Sequence, residues 1–406
     1  MNADASKSAK YSLILAVSLI IFIYLHKTSN FEMKSSTVVW YNPIERVNRL
    51  YKEKEWSHLL LKWYQQNKRD LPWRQTYDPY AIWVSEIMLQ QTRVETVKDF
   101  YRRFLENFPD VETLATATEA DVLKLWEGLG YYSRARNMQK AAKLMVTEYQ
   151  GAFPSHYSEL CALPGIGAYT AGAIASIAFG EAVPAIDGNV KRVSSRLFGI
   201  RENIDSPASQ KIIVTNLMEY LPENDAANFN QAMMELGATI CTPRAPSCEQ
   251  CPLDRDCDAF EEGDQESLPV HEKKSPAKEI DISVSILTWQ KNVLLFHRSE
   301  RLLHGLYVFY LLEQESDPVR IREALHQEGI NATFVTNAGE ASHIFTHRIW
   351  RMKLYHYRLL EKPSDIWLQA HDAVLADEFA IAKLALPTAM KAAKKIALEI
   401  LTKNKG

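Results

Sequence analysis

Four cysteines, Cys241, Cys248, Cys251 and Cys257, follow one another with C-x6-C-x2-C-x5-C spacing inside 17 residues. Four thiolates from one compact turn can converge on a single iron–sulfur cluster. Zinc is the competing occupant, but zinc modules usually present two C-x2-C arms across a longer gap, so one short loop favours the cluster. Such a group stiffens its loop, and Arg244 and Arg255 could there offer charge to phosphate. Two carboxylates stand out as well. Glu86 has Ile87 and Leu89 beside it and Trp83 three residues before it. Burial there would raise its pKa and keep a proton on it near neutrality, whereas on an exposed face it would be an ordinary solvated residue. Asp187 opens Asp187-Gly188-Asn189-Val190. An aspartate at a helix start is commonly an N-cap, and it can also be a carboxylate aimed at a site. Together the two acids suit cleavage of a glycosidic bond, in which one acid protonates the leaving group and one carboxylate stabilises the cationic sugar.

These groups need elements to hold them. From Glu55 to about Phe260 apolar residues recur three to four apart, as in Leu59, Leu60 and Trp63, which predicts helices. Trp83 to Thr92 is expected to be one of them and to carry Glu86. Gly165 and Gly167 sit between two apolar helical stretches. Their freedom permits a tight turn that exposes amide N–H groups at the next helix start, a ready phosphate site; an ordinary helix–helix turn is the plainer alternative. Asp187 follows twenty residues beyond Gly167. Polar Glu261 to Lys278, with Pro269 and Pro276, interrupts the periodicity and reads as a linker. Alternation then takes over at Ile280–Trp289, Val293–His297 and Trp350–Leu359, which predicts strands, with helices over Val319–Gln327 and Ala385–Thr402. The expected architecture is a mainly α region at 46–262, a linker at 263–279 and an α+β domain at 280–406.

The 406 residues carry 47 Lys and Arg against 50 Asp and Glu, a net charge of −3. A partner rich in phosphate must therefore meet local rather than global positive potential. Cys161 alone lies outside the cysteine loop, which excludes a spread disulfide framework and points to a reducing compartment. Residues 1–45 form an extension in which Tyr11–Leu25 is a nearly unbroken apolar run of fifteen residues. A membrane span needs about 20. A short anchor, a dispensable extension and an upstream start codon before Met33 all fit, and the last two together are favoured.

Between about Trp56 and Phe260 the chain resembles the helix-hairpin-helix DNA glycosylases with an iron–sulfur loop, and among them the MutY-type adenine glycosylases. The resemblance is carried by Leu71–Arg74, Trp83–Val94, Gly128–Asn137, Leu163–Gly172, Ile186–Val193 and the cysteine loop, in the family's order. It implies a monofunctional adenine glycosylase of base excision repair, acting on adenine opposite 8-oxoguanine or guanine by base flipping. Glu86 would protonate adenine N7, and Asp187 would stabilise the oxocarbenium or trap it covalently. Tyr169 and Asn189 would orient the aspartate and the water. Trp73, Arg74, Leu89 and Gln231 would line the base pocket, Gln91 and Tyr131 would be the wedge filling the stack, and Gly165 and Gly167 the phosphate hairpin. One 4Fe–4S cluster, duplex DNA as partner, a monomer and a cytoplasmic, nucleoid-associated location are implied too. Endonuclease III-type enzymes, pyrimidine glycosylases with lyase activity, carry a lysine where Tyr169 stands and no acid at the Glu86 position.

The segment after Asp281 resembles the Nudix-like domain with which MutY-type enzymes read 8-oxoguanine. Phe345-Thr346-His347 matches the family's Phe-Ser-His loop, with Thr346 keeping the hydroxyl; the plainer alternative makes Phe345 core and His347 surface. His326 and Gln327 stand where a working Nudix helix needs acids, although Glu323, Glu328 and Gly329 remain. Two departures are evident: Gly305–Tyr310 lacks the usual Trp-Glu-Phe-Pro, and Ala168 replaces the basic or proline residue before the hairpin tyrosine. A thymine or pyrimidine glycosylase/lyase on the same scaffold, a scaffold without catalysis and a membrane-anchored protein defined by residues 11–25 are the alternatives.

Overall fold

In the computed structural model, which describes residues 56–272 and 276–403, the chain is helical up to Glu261 and a mixed sheet begins at Lys278. The 1–45 extension, with its apolar run and Met33, lies outside the described residues. No helix among the described residues is long and apolar enough to cross a membrane.

The helical part is built on two cores. The first gathers Ile82, Trp83, Phe104, Trp126, Met138 and Ile174. The second gathers Trp56, Leu60, Tyr64, Val190, Phe229 and Leu236, with Cys241, Cys251 and Cys257 against its edge. Their seam falls at Ala185–Ile186, just before Asp187, since Ala185 belongs to the first core and Ile186 packs on the second. The Pro79–Leu89 helix starts sharply because Asp78 accepts from the amides of Tyr80 and Ala81 and Pro79 stands at N1. Residues Tyr80 to Met88 are all buried, so Glu86 enters the interior on a helix that is apolar almost all round. This helix stops at Leu89, earlier than the sequence pattern suggests. Gln91 takes φ +56, and Arg134 captures the freed carbonyls of Ile87, Met88 and Gln90 at 2.7, 3.1 and 2.7 Å.

The sheet has the order β3-β2-β1-β6-β5, with β4 also on β1 and β7 also on β2. Its strands are β1 Lys278–Trp289, β2 Asn292–His297, β3 Tyr307–Val308, β4 Tyr310–Glu313, β5 Ala332–Ile344, β6 Arg348–Leu359 and β7 Ala373–Ala376. β1 and β6 run parallel, with Val284 opposite Leu354, and the remaining pairs are antiparallel. The Pro318–Gln327 helix packs Ile321 and Leu325 on one face, and the Lys391–Lys403 helix packs Ala393, Ala397 and Leu401 on the other. The mainly α fold followed by an α+β region matches the expectation. A short 3-10 turn at Thr388–Met390 precedes the last helix, which begins later than Ala385. Glu328, at the end of the Pro318–Gln327 helix, accepts from Tyr310 Oη at 2.9 Å.

The sheet region leans on the helices. Leu306 and Ala385 join the first helical core. Lys394 bonds Glu127 at 2.9 Å, and Lys124 donates to the carbonyl of Leu384 at 3.0 Å.

Candidate active site

Between the two helical cores lies a cavity of about 1080 Å³, lined among others by Trp73, Arg74, Glu86, Leu89, Gln91, Tyr169, Asp187, Asn189 and Gln231. The residues expected for acid, carboxylate and base pocket thus share one chamber. Glu86 reaches it from the Pro79–Leu89 helix and is only 6% exposed. Burial pushes its carboxyl up to about 7; Asp187 adds to the rise, while the Tyr169 hydroxyl and Arg74 oppose it. The Tyr169 hydroxyl donates to Glu86 Oε2. The resemblance implies that Tyr169, with Asn189, orients the aspartate and the water; in the structure its hydroxyl is bonded to the glutamate, and its own phenol is driven well up by burial and by the two nearby carboxylates.

Asp187 is an N-cap and a cavity carboxylate at once, so the two alternatives for it coexist. Its Oδ1 accepts from Val190 N at 2.7 Å, and its Oδ2 accepts from Asn189 Nδ2 at 2.9 Å. Burial raises its pKa against those two bonds and Arg192. Arg192 then donates from Nη2 to Asn189 Oδ1 at 3.0 Å and to the Gly237 carbonyl at 2.7 Å, and from Nε to the Cys241 carbonyl at 2.8 Å. The side chain that holds Asp187 is therefore tied to the start of the cysteine loop. Gly237 is required by that packing, because a Cβ there would lie 2.6 Å from Asn189 Cβ.

Gln231 accepts from Tyr64 Oη at 3.2 Å. Beside it lies an acid that no motif in the sequence announces. Glu235 is fully buried and bonded by both Arg69 and Arg74 at 2.7 Å. Its place on the apolar face of the Ala226–Thr239 helix, beside Leu236, is the trace that could have marked it. The stretch read as linker also contributes. Leu268, Pro269 and His271 line the cavity, the Arg196 guanidinium donates to the Leu268 carbonyl at 3.1 Å, and Ile204 N donates to Val270 O at 2.9 Å.

Other expected groups lie outside the chamber. Gly165 (φ +78) makes the hairpin turn, and Gly167 is the N-cap of the Ala168–Phe179 helix. Tyr131 is exposed at φ +47, and Arg134 ties its turn to that of Gln91 through the carbonyls of Gly130 and Gln90 at 3.2 and 2.7 Å. Phe345-Thr346-His347 forms the turn between β5 and β6. Phe345 packs edge-on against Trp350 with ring centroids 4.9 Å apart, Thr346 and His347 are exposed, and Thr346 Oγ1 lies 3.3 Å from Tyr131 Oη. The loop is thus both partly core and beside Tyr131.

The four cysteines form one loop directly after the Ala226–Thr239 helix, with 3-10 turns at Cys248–Gln250 and Asp254–Asp256. Burial pushes the Cys251 thiol up to about 12 and the Cys257 thiol up to about 11, and neighbouring thiols add to both. Arg196 Nη1 donates to Cys241 Sγ at 3.3 Å. Among the described residues no three His, Cys, Asp or Glu side chains are gathered around a single-ion site. Four soft sulfurs within electrostatic reach of one another, one of them facing a guanidinium N–H, fit a thiolate-bound iron–sulfur cluster.

A family model described as HhH-GPD superfamily base excision DNA repair protein matches residues 84–222. The adenine DNA glycosylase of Homo sapiens is 45% identical over 218 residues, covering 52% of this chain and 40% of that protein. The chain therefore spans less than half the length of that relative. The adenine DNA glycosylase of Buchnera aphidicola subsp. Acyrthosiphon pisum is 36% identical over 296 residues, covering 72% of this chain and 83% of its own length. A solved thermostable thymine-DNA glycosylase is 29% identical, with a TM-score of 0.48, covering 53% of this chain and 99% of its own.

Proposed function

The chain belongs to the adenine DNA glycosylases of the HhH-GPD superfamily, and from that premise we propose that it releases adenine from duplex DNA in base excision repair, with adenine opposite 8-oxoguanine or guanine as its substrate. The observation that carries this reading is the pair of carboxylates in one chamber, buried Glu86 with its carboxyl near 7 and half-buried Asp187 held by Val190 N and Asn189. A general acid works best when its pKa lies near the working pH.

The target adenine leaves the stack and enters the cavity, because its glycosidic bond is out of reach in a duplex. Trp73, Leu89, Arg74 and Gln231 offer apolar walls and polar edges to the base. Glu86 gives its proton to N7. The C1'–N9 bond then breaks and its electron pair leaves with adenine. Asp187 faces the cation forming at C1', with Asn189 fixing its orientation. Water adds at C1' and gives its proton to the Glu86 carboxylate, which regenerates the acid and leaves an abasic site. Tyr169 offers no amine for a Schiff base, so strand scission by that route is not expected. The hairpin amides after Gly167 and the exposed Gln91 and Tyr131 suit a phosphate contact and a wedge. Cys241, Cys248, Cys251 and Cys257 would hold one 4Fe–4S cluster, which supplies a rigid clasp for the loop. We assign the working form as a monomer at the chromosome.

The test is single-turnover base release from duplex DNA with adenine opposite 8-oxoguanine, with thymine opposite guanine as control. Adenine release without alkali-independent strand cleavage is expected. Thymine release, or borohydride trapping of the wild-type protein, would overturn the assignment in favour of a glycosylase/lyase.

A further inference from the structure

Glu235 is an anion inside the cavity wall with no role in the chemistry above. Arg69 meets it with its backbone N at 3.0 Å, with Nε at 2.8 Å and with Nη2 at 2.7 Å, and Arg74 meets it with Nη2 at 2.7 Å. Arg74 also donates from Nη1 to the Arg69 carbonyl at 3.1 Å. Arg74 is near enough to Glu86 to draw its carboxyl down. Two cations share one buried anion, so the group carries one net positive charge, and removing the anion doubles it in the wall of the cavity that Glu86 also lines. Buried charges interact strongly because little water screens them.

We propose that Glu235 is a positioning residue that fixes Arg69 and Arg74 against the base pocket and holds the charge of Arg74 in check beside Glu86. This rests on the general-acid role of Glu86 given above. Glu86 is faced by Tyr169 from the Ala168–Phe179 helix, by Asp187 with Arg192 behind it, and by Arg74 from the Pro72–Arg74 turn. Glu235 is faced by Arg69 and Arg74, with Tyr64 close enough to feel both Arg74 and Glu235. Of these groups only Arg74 touches Glu235 and also acts on Glu86, so it is the route between them. Burial opposes ionisation of Glu235, but the bonds from Arg69 and Arg74 prevail and hold its carboxyl at about 2, so it stays an anion across the working range.

Single-turnover adenine release from the 8-oxoguanine duplex, followed from pH 5 to pH 9, separates this role from a merely structural one. Rate falls as pH rises through the Glu86 pKa, because the acid form is needed. In Glu235→Gln the uncovered Arg74 moves that fall to lower pH by about one unit, giving roughly ten-fold slower release than wild type at pH 8 and a small difference near pH 5.5. Glu235→Asp keeps the wild-type midpoint. Arg69→Gln, a change at a half-exposed side chain, moves the midpoint upward by leaving Glu235 to Arg74 alone, and it decides the question if Glu235→Gln does not fold. A uniform loss at every pH in Glu235→Gln, or an unmoved midpoint in Arg69→Gln, overturns the proposal. Absence of adenine release from the wild-type protein would instead sink the function on which it stands.

Discussion

Glu86 and Asp187 differ in what they touch, and their variants should differ accordingly. Glu86 is held inside the chamber by the Tyr169 hydroxyl, so Glu86→Gln should abolish adenine release while leaving the duplex dissociation constant nearly unchanged. A variant that still releases adenine at the wild-type rate would remove Glu86 from the mechanism. Asp187→Asn is informative in a second way. Asparagine caps a helix about as well as aspartate, so the Gly188–Leu197 helix should persist and thermal stability should change little. Base release should still stop, because an amide cannot stabilise the developing cation as a carboxylate does. For the wild-type protein the alkaline limb of single-turnover release should have its midpoint near 7, set by burial of Glu86. The sign follows from the role: the raised pKa keeps the proton at neutral pH, and activity declines as pH rises past it.

At the scale of elements, the glycine hairpin has a conformation that other residues resist. Gly165 sits at φ +78, and a Cβ there would lie 2.6 Å from Asn137 Cβ. Gly165→Ala should destabilise the protein by roughly 1–2 kcal/mol and weaken duplex binding, while single-turnover release at saturating protein stays close to wild type. Equal DNA affinity in a folded Gly165→Ala variant would show that the hairpin does not seat a phosphate. The turn after Leu89 is a second case. Arg134 is pushed down to about 10 by burial, yet its Nη atoms reach carbonyls on both the Gln91 and the Tyr131 turns. One side chain thus fixes two wedge candidates that lie 40 positions apart in the chain.

At the scale of the whole molecule, the proposed substrate requires that a normal base be removed only opposite a wrong or damaged partner. The chamber can hold the flipped adenine, so the opposite base must be read elsewhere. Thr346 is exposed and lies 3.3 Å from Tyr131 Oη, which brings the sheet region's β5–β6 turn to the wedge candidate. Phe345 packs on Trp350, so truncating it would disturb the sheet, and Thr346→Ala is the cleaner test. Thr346→Ala should cut the preference for 8-oxoguanine over guanine by about ten-fold to a hundred-fold, the equivalent of roughly 1–3 kcal/mol for a lost base contact. The rate of the chemical step should change less. An unchanged preference would leave the sheet region without the reading role.

Local patterns were legible in the sequence because they depend on neighbours. The cap at Asp187, the cysteine spacing and the alternation of β1 each follow from side chains a few positions apart. β5 was not legible: its pattern is exposed almost throughout, so no buried face imposes alternation, and its register is set by pairing with β6. The same limit applies to the site. Tyr169 finds Glu86 across 83 positions, and Arg69 finds Glu235 across 166. Such pairs leave no period in the chain, since the geometry that joins them belongs to the packing of two cores. The types of chemistry were therefore fixed by residue identity and spacing. Which hydroxyl holds which acid, which carboxylate restrains which arginine, and where residues 268–271 rest were decided only by tertiary structure, because each depends on burial that several distant elements create together.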